Sequence, residues 1–167
     1  MHWLVLSVWL LLAQNVHAAC FELAAQRYRV PVQLLKAIAM QESGGRAHAV
    51  NRNSNGSYDI GMMQINSFWL PKLARHGITQ QDLFDPCVSV LVGAWVLSDN
   101  FARLGYNTQG LGAYNASTPY KRERYARAIL RRLGHNTPQT QTQHPAPRGT
   151  RASTAPAHHP NSHAQRP

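Results

Sequence analysis

Seven carboxylates are the whole acidic inventory of this 167-residue chain: Glu22, Glu42, Asp59, Asp82, Asp85, Asp99 and Glu123. No Ser-His-Asp order with a nucleophile elbow, phosphate-binding glycine loop, dinucleotide fingerprint or zinc-binding helix accompanies them. Any catalysis must therefore be argued from the carboxylates. Asp85, directly before Pro86, reads as a helix N-cap. Asp82 and Glu22 fall in short polar helical turns, Asp99 near the end of a long helix, and Glu123 among arginines. Only Glu42 and Asp59 stand beside glycine- and amide-rich segments of the kind that line a groove.

Glu42 closes the stretch Leu34-Leu35-Lys36-Ala37-Ile38-Ala39-Met40-Gln41-Glu42-Ser43-Gly44-Gly45. Its apolar residues recur at helical spacing, and Ala39, Ile38 and Leu35 share a face with the carboxylate. Gly44-Gly45 supplies the helix stop. Burial and the negative end of the helix dipole both disfavour the anion there, which is how a general acid working near neutral pH is made. The stretch by itself leaves open a glutamate at a frayed helix end that points to water.

The surrounding elements read as mainly helical. A short helix covers residues 20–28 and ends at Val30-Pro31; Pro31 opens the Glu42 helix. Between Arg46 and Asp59 the composition turns to Asn, Ser, Gly and Arg, with Asn55-Gly56 a turn signal, so a loop or small hairpin is expected. In Gly61-Met62-Met63-Gln64-Ile65-Asn66 the glycine implies a tight backbone, Met62, Met63 and Ile65 read as core, and Gln64 is a polar group in need of partners. Asn66 or Ser67 caps the next helix, over 71–75. A further helical turn covers 79–83. The longest helix runs from Pro86 to Leu104, and Val88, Leu91, Val92, Trp95 and Ala102 are its expected core face. A short segment starts at Asn107-Thr108, and a last helix runs from Pro119 to Leu133 before Gly134. Tyr125, Ile129 and Leu133 share one of its faces, and arginines supply most of the rest.

The ends are of different character. Residues 1–19 combine a short apolar run with Val16-His17-Ala18-Ala19, as expected of an export signal cleaved after Ala18 or Ala19. Residues 135–167 are rich in His, Pro, Thr and Gln with scarcely an apolar side chain, and are expected to be a disordered tail. That leaves one domain over 20–134. Its two cysteines, Cys20 and Cys87, either bridge or stay as separate buried thiols; export into an oxidising compartment favours the bridge. Seventeen basic against seven acidic residues give a formal charge of +10, which points to an anionic partner but does not choose among nucleic acid, membrane and cell wall. No metal-ligand spacing occurs, and no cofactor is implied.

Four segments in order carry a resemblance. Ala39-Met40-Gln41-Glu42-Ser43-Gly44-Gly45 resembles the catalytic E-S-G segment of the soluble lytic transglycosylase family, and Gly61-Met62-Met63-Gln64-Ile65-Asn66 is similar to its G-L-M-Q-I segment, with Met62 in place of the commoner leucine. Ala113-Tyr114-Asn115-Ala116 resembles its A-Y-N-A segment, and Tyr125 in Glu123-Arg124-Tyr125-Ala126 matches the tyrosine of its last helix. The segments Asn51 to Gly61 and Asp85-Pro86-Cys87 look like those of the small transglycosylases that accompany secretion, conjugation and pilus systems in Gram-negative bacteria.

The resemblance implies a lysozyme-like α+β fold and cleavage of peptidoglycan at the β-1,4 bond between N-acetylmuramic acid and N-acetylglucosamine. It implies that Glu42 is catalytic and that Gly61, Met63, Gln64, Asn66, Tyr114, Asn115 and Tyr125 contribute to substrate binding, with Ser43 supporting the glutamate. It also implies a periplasmic monomer whose partners are glycan strands and a secretion, conjugation or pilus machine, with no nucleic acid. Asp59 is expected to order its loop; were it to reach the groove opposite Glu42, a two-carboxylate hydrolase would be possible.

Overall fold

A computed structural model describes residues 18–136. Helix α1 covers 18–28 and ends at Arg29 in a left-handed conformation (φ 54°). Helix α2, Val32–Glu42, starts at Pro31, whose extended backbone cannot continue a helix, and buries Leu34, Leu35, Ala37, Ile38 and Ala39. It stops where expected. Gly44 and Gly45 have φ of 65° and 79°, and their amides turn back onto the carbonyls of Met40 and Ala39, both at 3.2 Å.

The amide-rich region forms a three-stranded antiparallel sheet: β1 (Val50–Arg52), β2 (Tyr58–Ile60) and β3 (Ile65–Asn66) in that order. Val50 pairs with Ile60, and Asp59 pairs with both Asn51 and Asn66. Asn66 accepts a hydrogen bond from the Phe68 amide, capping a 3-10 turn over Ser67–Trp69. Helix α3 (Leu70–Ala74) comes next. A second 3-10 turn, Gln81–Phe84, is steadied by Asp82, which accepts from the Thr79 amide and hydroxyl, both at 2.7 Å.

Helix α4, Pro86–Leu104, begins with the Asp85 carboxylate accepting from the Val88 amide (2.9 Å) and ends at Gly105 with φ 86°. Its buried face matches the expected one only in part: Val92 is buried, and Val88, Leu91 and Trp95 pack against the core from its edge. Ser89, Val90, Val92, Gly93, Ala94, Val96, Leu97 and Asn100 are buried, whereas Val88, Leu91 and Trp95 are only partly covered and Ala102 is exposed. The helix is apolar nearly all round, so hydrophobicity alone does not select a face, and two of its polar residues lie inside.

Helix α5, Thr108–Gly112, is capped by Asn107, which accepts from the Gln109 and Gly110 amides. Helix α6, Pro119–Asn136, buries Tyr125, Ala126 and Ile129. It passes through Gly134 instead of ending there, because that glycine does not take the left-handed conformation of a helix stop. Helix α2 packs against α4 and α6, and α5 against the same two helices. The core cluster joins Leu35, Ile38, Ile60, Met63, Leu83, Leu97 and Ile129. The disulfide expected between Cys20 and Cys87 is present and ties α1 to the first turn of α4. The export signal lies outside the described residues up to position 17, and the tail lies outside them from 137 onward.

Candidate active site

Five of the seven carboxylates are engaged by near neighbours. Glu22 pairs with Lys36 (3.6 Å), Asp99 with Arg103 and Glu123 with Arg127 (3.0 Å each), while Asp82 and Asp85 hold local turns. Glu42 and Asp59 remain, and both line one cleft of ≈ 1610 Å³ between the sheet region and the helices.

Glu42 occupies the last residue of α2. Its Oε1 accepts a hydrogen bond from the Tyr125 hydroxyl, which α6 delivers from 83 residues away in sequence. Burial raises the carboxyl pKa from 4.5 to about 7; the Tyr125 hydrogen bond opposes that rise, and the charge of Asp59 adds to it. The carboxyl is therefore placed to hold a proton far closer to neutral pH than an ordinary glutamate. Burial pushes the Tyr125 phenol well above its ordinary range, with the charge of Glu42 adding to the effect, so this hydroxyl remains a donor.

Asp59 is held differently. One oxygen accepts from Asn66 Nδ2 (2.7 Å) and the other from Asn53 Nδ2 (3.0 Å). Both amides come from the sheet region itself, and Asn66 and Asn53 also donate to the Ser57 hydroxyl. The side chain thus ties the β1–β2 turn to β3.

Behind the cleft wall the turn over residues 61–64 collects hydrogen bonds from several elements. The buried Ser43 hydroxyl donates to the Met62 carbonyl (2.7 Å), and the Met63 amide donates to Ser89 Oγ (3.0 Å). The Tyr114 hydroxyl donates to the Met63 carbonyl (2.9 Å), while Gln64 Nε2 donates to the carbonyls of Gly61 (2.9 Å) and Ala49 (3.2 Å). Gln64 thereby finds the partners its position demanded. Two glycines make this crowding possible. Gly61 has φ 76°, and a Cβ there would meet the Leu83 carbonyl oxygen at 2.0 Å; at Gly93 a Cβ would meet Met63 Cε at 2.7 Å and the Tyr114 hydroxyl at 2.9 Å.

The residues named from sequence fall into two sets. Glu42, Gln64, Asn66, Tyr114 and Asn115 line the main cleft, and Tyr125 lines a smaller cavity that Glu42 also borders. Ser43, Gly61 and Met63 lie behind the surface as its support. Sequence reasoning did not single out Phe68, Trp69, Asn100, Arg103 and Arg122, which also line the cleft. Phe68 is 80% exposed, and Trp69 stands edge-on to Trp95 at 5.4 Å with Lys72 over both rings. Asn100 is buried and accepts from Arg103 (2.6 Å), yet its Nδ2 has no partner among the described residues. The signal for the aromatic pair was available, since Phe68-Trp69 stands just past the Gly61–Asn66 segment. For Asn100 it was not, because the polar run Ser98-Asp99-Asn100 near the end of a long helix reads as solvent-facing.

The cleft thus presents one protonatable acid, amide and phenol groups suited to sugar hydroxyls and acetamido groups, and aromatic surface suited to sugar faces. Among the described residues no cluster of metal-ligating side chains occurs.

The chain is similar to "Invasion protein IagB" of Salmonella typhimurium, 41% identical over 133 residues that cover 77% of this chain and 83% of the relative. It is 42% identical over 120 residues to "Protein IpgF" of Shigella flexneri, covering 69% and 79%. It is also 35% identical over 136 residues to "Peptidoglycan-binding-like protein" of Escherichia coli O157:H7, covering 74% and 81%. Residues 19–128 match the family model described as the transglycosylase SLT domain. With Glu42, the 61–66 turn, Tyr114-Asn115 and Tyr125 all inside the matched span, the chain belongs to the SLT lytic transglycosylase family, whose members bind peptidoglycan.

Proposed function

We propose that this protein cleaves the β-1,4 bond between N-acetylmuramic acid and N-acetylglucosamine in peptidoglycan and releases a 1,6-anhydro-muramic product. The observation that carries this reading is the carboxylate inventory: of the two acids lining the cleft, Asp59 is held by Asn53 and Asn66, whereas Glu42 accepts from a phenol, that of Tyr125. Glu42 donates its proton to the bridging glycosidic oxygen as the C1–O bond breaks, leaving a free 4-hydroxyl on N-acetylglucosamine. The substrate's own acetamido group supports the positive charge that develops at C1. The muramic C6 hydroxyl then bonds to C1 and gives its proton to the Glu42 carboxylate, which restores the acid. No water is consumed, so no second carboxylate is needed to activate one. Ring closure within one sugar exploits the high effective molarity of an intramolecular nucleophile. A carboxyl whose pKa is raised to about 7 suits both steps.

A lysozyme-type hydrolysis is the second reading, favoured by Asp59 lining the same cleft; its engagement by Asn53 and Asn66 speaks for a structural part instead. A non-enzymatic wall-binding module is the third. Digestion of purified murein sacculi with fragment analysis by mass spectrometry separates them. Anhydro ends that disappear with Glu42→Gln are the expected outcome. Reducing ends would indicate hydrolysis, and binding without soluble fragments would indicate the module.

The setting belongs to the same reading. Residues 1–19 serve as an export signal, residues 20–134 with the end of α6 form the catalytic domain, and the remainder is a tail. The protein acts as a periplasmic monomer of a Gram-negative bacterium and opens the wall for a secretion, conjugation or pilus apparatus. The relatives' names, "Invasion protein" and "Peptidoglycan-binding-like protein", agree with that role.

A further inference from the structure

Helices α2 and α6 both contribute to the core cluster, α2 through Leu35 and Ile38 and α6 through Ala126 and Ile129. At the catalytic end they part. A cavity of ≈ 620 Å³ opens there, lined by Gln41 and Glu42 at the end of α2 and by Tyr125 and Ala128 of α6 among others. Two side-chain hydrogen bonds run from α6 to these consecutive residues of α2. The Tyr125 hydroxyl donates to Glu42 Oε1, and Arg132 Nε donates to Gln41 Oε1 (2.9 Å). Tyr125, Ala128 and Arg132 follow one another at i, i+3 and i+7, so they share one face of α6. Ala128, between the two anchors, carries only a methyl group and leaves the gap open.

We propose that Arg132 is a positioning residue for Glu42: by holding Gln41 from two turns beyond Tyr125, it fixes the separation of α2 and α6 at which the Tyr125 hydroxyl meets the carboxylate. The proposal rests on the reading of Glu42 as the acid of this site. Arg132 touches no reacting atom and acts through Gln41 and the end of α2. The need for it follows from the geometry. Glu42 is the last residue of its helix, and the chain turns away at once through Gly44 and Gly45. Ser43 ties the same end to the Met62 carbonyl, which leaves its tilt across the cavity to the bonds with α6. A hydrogen bond weakens steeply as its angle and distance drift. One anchor over a cavity lets α2 pivot about Tyr125, and a second anchor removes that freedom. A guanidinium at this place also complements the negative end of the α2 dipole.

The test is a double-substitution cycle read from the titration of the Glu42 carboxyl, followed in the full chain by carbon-13 NMR. The four proteins are the native one, Tyr125→Phe, Gln41→Leu and the two together. Gln41→Leu breaks the contact without changing any charge. Asp59, Arg46, Tyr114, Lys121, Arg122, Arg124 and Arg131, which line the two cavities that Glu42 borders, are the same in all four, so their effects cancel. In the native background Tyr125→Phe should raise the proton affinity of Glu42 about tenfold. With Gln41→Leu present that step should shrink to about threefold or less, because the lost hydroxyl was already out of place. Arg132→Leu should shrink it likewise, whereas Arg132→Lys, which keeps a donor there, should preserve most of it. A step of equal size in the native and Gln41→Leu backgrounds overturns the proposal. Digestion of murein sacculi by the native protein is scored alongside. A shrunken step without anhydro product supports the positioning contact and defeats the cleavage reading; anhydro product with an unchanged step defeats only the positioning contact.

Discussion

Replacing Glu42 with glutamine should stabilise the folded protein in alkaline solution, and the size of the effect is set by the carboxyl's surroundings. The folded pKa is raised from 4.5 to about 7, chiefly by burial. A carboxyl with a raised folded pKa binds its proton more tightly in the native state than in the unfolded chain. Its contribution to stability is therefore fully present below pH 4.5 and is lost as pH rises from there through 7. At about 1.4 kcal/mol for each tenfold change in proton affinity, the interval caps the loss at about 3 kcal/mol. Because Glu42 is partly accessible, solvent screening reduces this, and roughly 2 kcal/mol is expected between about pH 5 and pH 8. Glutamine has nearly the same shape, can still accept from the Tyr125 hydroxyl and does not titrate. Urea unfolding of both proteins, with the disulfide intact, should show Glu42→Gln gaining on the native protein by about that amount over this range. The difference between the two proteins cancels the titration of every other group. A difference that stays flat to within about 0.5 kcal/mol from about pH 5 to pH 8 would mean that Glu42 is not a buried acid, and the proposed general-acid role would lose its basis.

Tyr125→Phe removes the one hydrogen bond that favours the Glu42 anion; the alkaline limb of the pH–kcat profile should move up by about one pH unit, and an unmoved limb would separate Tyr125 from the titrating group. Gly61→Ala forces a left-handed alanine and drives a Cβ into the Leu83 carbonyl, so a loss of about 3 kcal/mol or more is expected, visible as a Tm lower by roughly 10 °C or more. Reducing Cys20–Cys87, or replacing both cysteines with serine, releases a cross-link between residues 67 apart and should cost about 2 to 4 kcal/mol in urea unfolding.

What was legible in the sequence is mostly what is local in the fold. Asp85, Asn107 and Asn66 cap their turns through amides two or three residues ahead, so residue type and position were enough to find them. The α2 helix and its Gly44-Gly45 stop were readable for the same reason. The buried face of α4 was not, because Ser89 and Asn100 sit on its inner side. Ser89 is there to accept from the Met63 amide, 26 residues earlier, and no periodicity encodes that requirement. Likewise the Glu42 segment and Tyr125 could each be matched to the family, but their hydrogen bond exists only after α2 and α6 pack together. Nor does local sequence show which arginines of α6 find acceptors, as Arg122, Arg127 and Arg132 do.

The turn at residues 61–64 bears on how the proposed activity can be controlled. Side chains from the end of α2, from α4 and from the segment after α5 each bond to its backbone, and Gln64 links it to the Ala49 carbonyl beside the sheet. Widening or narrowing the cleft would shear several of these bonds at once. The wall behind the acid therefore behaves as a fixed jaw, held from several sides at once. On the proposed function, restraint is then to be sought outside this turn: in how much protein is present, where it is tethered, and which stretches of glycan are left bare for it to reach.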